Sequence, residues 1–97
     1  MTYKMKVQIT DLNTPKGMTS ELCLELKCSF VYDEEQYGNG FFLNIEGKGF
    51  YPQCFDLRYD RSFKKSEKKK WLENWARNYW SGENGSWKCS EIKIVEV

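Results

Sequence analysis

The chain has 97 residues, 40% of them hydrophobic and 30% charged, with a formal net charge of +1. That length suits one domain, the composition excludes a disordered chain, and the near-neutral balance excludes both a polyanionic DNA mimic and a general attraction to nucleic acid. Histidine is absent, which removes the commonest general base, every Ser-His or Cys-His nucleophile pair and every mixed Cys/His zinc site. No apolar run approaches the roughly 20 residues of a membrane span. Lys4 and Lys6 interrupt the first apolar residues, so no signal-peptide core is read there. A cytoplasmic protein with no membrane partner is expected.

Residues 3–10 alternate cleanly: Tyr3, Met5, Val7 and Ile9 share one face, and Lys4, Lys6, Gln8 and Thr10 the other. This predicts a half-buried strand. Asn13-Thr14-Pro15-Lys16-Gly17 reads as a turn. Residues 21–32 alternate again, with Leu22, Leu24, Leu26, Cys28, Phe30 and Tyr32 inward and Cys23, Glu25, Lys27, Ser29 and Val31 outward. An acidic loop follows, with Asn39-Gly40 a hairpin dipeptide. Residues 41–47 predict a third strand with Phe41, Leu43 and Ile45 inward and Phe42 outward. Residues 53–59 predict a fourth with Phe55, Leu57 and Tyr59 inward.

Residues 71–87 hold all four tryptophans, and Leu72, Trp75, Ala76 and Tyr79 recur at i, i+3, i+4, i+7. That spacing predicts an amphipathic helix over about 64–80, capped by Asp60 or Ser62 and stopped at Gly82. A last strand covers 87–97, with Ile92 and Ile94 inward. The order ββββαβ predicts an α+β domain over 1–97: a four- or five-stranded antiparallel sheet with one helix on one face.

The charge is uneven. Residues 58–70 hold seven basic and two acidic groups, whereas the rest of the chain is slightly acidic. Lys64, Lys65, Lys68, Lys69 and Lys70, preceded by Arg61, fall in the first turns of the predicted helix, where the macrodipole disfavours cations by about 0.3–1 kcal/mol each at low salt. A sequence tuned for stability alone places acids there. The functional reading is an anion-facing contact surface, with Trp71 beside it; the competing reading is a helix end kept soluble by lysine. The excess of lysine over arginine argues against bidentate reading of bases.

Three further features hold a competing reading each. Asp33-Glu34-Glu35 is a phosphate mimic or a solvated hairpin tip. Phe42 and Val31 on the outer face form an interface anchor or stand singly, and no RNA-reading aromatic pattern accompanies them. Cys23, Cys54 and Cys89 are the zinc candidates, on the expectation that all three share the outer face. No CxxC knuckle exists, and Cys23 and Cys28 point to opposite faces, so four-sulfur ligation would need a distorted strand; with no secretory context, reduced thiols are expected. No phosphate-cradling glycine loop or carboxylate pair of fixed spacing is present, so no catalytic residues are assigned and no enzyme is expected.

The run Asp56-Leu57-Arg58-Tyr59-Asp60, followed by Trp71-Leu72, by Trp75-Ala76-Arg77-Asn78-Tyr79-Trp80-Ser81-Gly82 and by Gly85-Ser86-Trp87, resembles small proteins carried on phages and conjugative elements of gut Firmicutes. The likeness covers about the C-terminal half. It implies a neighbourhood rich in anti-defence proteins, anti-CRISPR inhibitors among them: small, single-domain and non-catalytic chains that bind a nuclease effector in the host cytosol. It carries over no functional residue. The leading expectation is a cofactor-free binding protein that occludes a partner protein through Arg61, Lys64, Lys65, Lys68, Lys69, Lys70 and Trp71. The alternatives are a nucleic-acid-binding accessory protein using the same patch, and a small structural-zinc domain.

Overall fold

The computed structural model describes residues 1–11, 21–33, 40–81 and 87–97, without the side chains of Asp11, Asp33 and Trp87. The turn at 13–17, the acidic stretch 34–35, and the helix stop and turn at 82–85 lie outside the described residues. Five strands, β1 (Thr2–Asp11), β2 (Glu21–Asp33), β3 (Gly40–Gly47), β4 (Phe50–Asp56) and β5 (Trp87–Glu96), and one helix, α1 (Lys68–Ser81), follow in the order ββββαβ. The strands form one antiparallel sheet, in the order β4-β3-β2-β1-β5.

The period-2 pattern explains the core. Register brings inward residues into rows across the sheet: Ile94, Met5 and Leu26; Ile92, Val7 and Leu24; Tyr3, Cys28 and Ile45; Phe30, Leu43 and Phe55. Met5, Val7, Leu26, Cys28, Leu43 and Ile45 are wholly buried, and Leu72 and Ala76 of α1 close over the same core. The two ends of β2 differ from expectation: Leu22 and Tyr32 are exposed. Thirteen strand residues run about 43 Å, whereas the 14-residue helix spans about 21 Å, so the ends of β2 reach past the covering element.

Three boundaries move. The fourth strand starts at Phe50, three residues before the expected 53, because Pro52 lies on an edge strand where a missing N–H is tolerated. Tyr59 falls beyond the strand and is exposed, not inward. The helix starts at Lys68, not near 64. Its first bond runs from the Trp71 amide to the Glu67 carbonyl, while the Asp60 carboxylate accepts from the Ser62 amide and hydroxyl, closing a local turn instead of capping the helix.

In β5 a bulge leaves Ser90 between Glu91, opposite Gln8, and Cys89, opposite Ile9, with the Ser90 hydroxyl donating to the Gln8 carbonyl at 3.1 Å. The extra residue resets the alternation, so Cys89, Ile92 and Ile94 all face inward.

Candidate functional site

The cationic residues of 58–70 divide by what they touch. Arg58 pairs with Asp56 at 2.7 Å and lies over the rings of Phe42 and Tyr59, at 5.2 and 5.3 Å from their centroids. Its stem passes where a Cβ on Gly40 would stand, so Gly40 makes room for it. Phe42 is therefore half-buried under a guanidinium; Val31 remains exposed.

Lys68, expected to contact a partner, instead points into the core edge. It is 8% exposed, its Nζ donates to the Lys65 carbonyl at 3.3 Å, and it sits 5.0 Å from the centroid of Phe41 and 5.9 Å from that of Phe30. The cause is helical phase: Lys68, Leu72, Ala76 and Trp80 form the buried ridge at four-residue spacing, and Lys68 is its first member. Aromatic faces replace the carboxylate that a buried cation otherwise needs. Lys65 rests more loosely, 5.9 Å from Phe41 and 6.0 Å from Tyr32, and stays exposed.

Arg61, Lys64, Lys69 and Lys70 are exposed. The described ion pairs engage Lys4, Arg58, Arg77 and Lys93; among the described residues none engages these four or Lys65. The first turn of α1 holds no acid. The first turn of α1 thus sets Lys69 and Lys70, which form no ion pair among the described residues, against its own dipole.

Trp71 is half-buried and fixed. Its Nε1 donates to Asp60 Oδ2 at 2.9 Å, and its ring meets Phe55 and Phe63 edge-on. The Ser62 hydroxyl, then Trp71 and the Ser62 and Phe63 amides, hold the Asp60 carboxyl below the usual carboxylate range against the opposing effect of burial. Trp71, Trp75 and Tyr79 form a second ridge along α1, roughly 60° around the axis from the buried one. Phe50 and Phe55 pack beneath it. The second ridge lines an open groove of about 600 Å³ together with Asp60, Ser62, Lys64, Glu67, Lys70, Asn74 and Asn78. Of the stripe expected inward, Leu72 and Ala76 are buried, but Trp75 is half-buried and Tyr79 is 47% exposed, while Trp80 takes the buried place.

The zinc candidates are not brought together. Cys54 lies opposite Asn44, which lies opposite Ser29, six residues along β2 from Cys23, a separation of about 20 Å along the strand. Cys89, expected on the outer face, is buried on the inner one because of the Ser90 bulge. Among the described residues no three His, Cys, Asp or Glu side chains cluster as metal ligands. Burial pushes the Cys28 thiol up to about 12, and burial also raises Cys89. Among the described residues no helix is long and apolar enough to cross a membrane.

No family model matches the sequence, no curated protein matches it, and no solved structure matches the fold.

Proposed function

We propose that the chain is a non-catalytic binding protein that lays the cationic start of α1 on an acidic surface of another protein. The observation that carries this is the set Arg61, Lys64, Lys69 and Lys70: exposed and in no ion pair among the described residues, with Lys69 and Lys70 in the first turn of α1 and so set against its dipole. Carboxylates supplied by a partner would compensate both the mutual repulsion and the dipole. Lys65 borders the set, and Trp71, held by Asp60, gives it a rigid neighbour.

The non-catalytic reading is supported by the lack of histidine and, for Cys28 and Cys89, by burial that suppresses thiol ionisation, the opposite of an activated nucleophile. The resemblance to phage and conjugative-element proteins directs the search to a nuclease effector of a bacterial defence system, in the host cytosol, with occlusion as the mode of inhibition.

The test is affinity capture from a Firmicute lysate, with and without nuclease treatment, by the wild-type chain and by Arg61→Glu/Lys69→Glu. Capture of one dominant protein that survives nuclease and fails with the variant supports the proposal. Capture that disappears with nuclease, and whose affinity falls linearly against log salt at about 0.9 per phosphate contact on duplex DNA, assigns the patch to nucleic acid instead. Equal capture by the variant contradicts both.

A further inference from the structure

The groove beside the patch has a different chemistry from the patch itself. Trp71, Trp75 and Tyr79 form one wall, four residues apart and so about 6 Å apart along the helix. Trp75 and Tyr79 are tilted against each other, with centroids 5.1 Å apart and planes 31° apart. Phe50 and Phe55 hold Trp75 edge-on from below, at 6.2 and 5.9 Å, so the wall is rigid. The polar lining carries no net formal charge, with Lys64 and Lys70 against Asp60 and Glu67, and adds the exposed amides of Asn74 and Asn78 on the next ridge of α1.

We infer that this groove binds a neutral oligosaccharide, with pyranose rings seated on Trp75 and Tyr79 and hydroxyls met by Asn74, Asn78, Lys64, Lys70 and Glu67. Three properties lead to that class. The negative face of an aromatic ring attracts the polarised C–H bonds of a sugar face, which gives contact area without charge. A hydroxyl both donates and accepts, and this lining supplies both: ammonium and amide donors, carboxylate and amide acceptors. Trp71, Trp75 and Tyr79 recur along α1, so an extended chain of rings lying along the groove meets more than one of them.

The other occupants fit less well. Single-stranded nucleic acid also stacks on aromatics, but it needs a groove of net positive charge, and here two carboxylates cancel two lysines. A proline-rich segment also packs on aromatic grooves, but it brings mostly carbonyl acceptors and leaves Glu67 and the amide oxygens without donors. The volume lies within the range of small-ligand sites, about 300–1,000 Å³.

Substitution tells the two sites apart, because Arg61 and Lys69 do not line the groove and Asn74 and Asn78 are uncharged, although Lys64 and Lys70 adjoin both. The experiment is binding of the intact chain to a glycan array holding neutral, sulfated and phosphorylated glycans, followed by tryptophan-fluorescence titration with chitohexaose, cellohexaose and maltohexaose. Single-stranded DNA serves as the competing probe. Wild type is compared with Asn74→Ala/Asn78→Ala, Tyr79→Ala and Arg61→Glu/Lys69→Glu; the first two change exposed positions and avoid the fold risk of replacing Trp75. The inference predicts retention on neutral glycans, its loss in both groove variants, and its persistence in the charge-reversed one. It is overturned if no neutral glycan is retained, if only anionic glycans or DNA bind, or if the groove variants bind as wild type does. Equal lysate capture by wild type and Arg61→Glu/Lys69→Glu, with glycan binding intact, would count against the patch alone.

Discussion

The two ridges of α1 share one helix and one spacing, yet they do different work. Lys68, Leu72, Ala76 and Trp80 are buried on the sheet; Trp71, Trp75 and Tyr79, about 60° around the axis, keep part of their aromatic surface in a groove. Aromatic content therefore does not mark the core here. Position relative to the sheet does, and the smallest residue, Ala76, is fully buried where the largest, Trp75, is not.

The comparison breaks if the two ridges respond alike to truncation. Leu72→Ala should cost about 2–5 kcal/mol in urea denaturation, as a transfer loss plus a cavity under a wholly buried side chain. Tyr79→Ala should cost far less, on the order of 1 kcal/mol, because its ring is already half in solvent. Equal costs would mean that the second ridge is core as well.

Gly47 tests the pairing of β2 with β3. A Cβ there would stand 2.6 Å from the Glu25 carbonyl oxygen and 2.7 Å from Leu26 Cδ2, so Gly47→Ala should destabilise by about 1–3 kcal/mol. A melt unchanged from wild type would show that β2 and β3 separate more easily than their register implies.

Acid titration tests the anchor of Trp71. Asp60, Asp56 and Glu25 all titrate below their ordinary values, held by Ser62, Arg58 and Lys4 respectively. A depressed folded pKa contributes stability above the unfolded value, about 3.9–4.3, which is lost as pH falls through the lower folded value. Thermal melts should therefore be flat from pH 7 to about 5 and fall below about 4, and Asp60→Asn should soften that fall. An Asp60→Asn melt with the wild-type acid dependence would remove Asp60 as the anchor.

Alkylation distinguishes the two sheet faces at smaller cost to the fold. Exposed Cys23 and Cys54 should react with iodoacetamide in the native chain, and Cys28, buried and pushed up to about 12, only on unfolding. Native-state labelling of Cys28 at the rate of Cys23 would contradict the buried inner face.

Much of this was legible beforehand. β1, β2 and β3 announce their inner faces by alternation, because a strand has only two faces and one is buried. The start of α1 was not legible. Residues 64–67 have good helix formers, but Phe63 is drawn into rings of Phe30, Phe41 and Trp71, and Asp60 is tied to Ser62 and Trp71, which holds that segment in turns. The Ser90 bulge carries no signature in the sequence and reverses the placement of Cys89. The cationic patch was legible as composition, but the removal of Lys68 from it needed the helical phase that only the fold sets. The groove was half legible: its ring spacing is written in the chain, whereas its exposure depends on which side of α1 meets the sheet.

The most direct test of the account needs no partner: equilibrium urea denaturation of Lys69→Glu/Lys70→Glu. If these lysines stand uncompensated against the dipole of α1, reversing them should raise stability by about 0.3–1 kcal/mol per position at low salt, with the gain shrinking as salt is added. A loss of stability would mean that the lysines are already held within the chain, and the premise for a partner at this surface would fall.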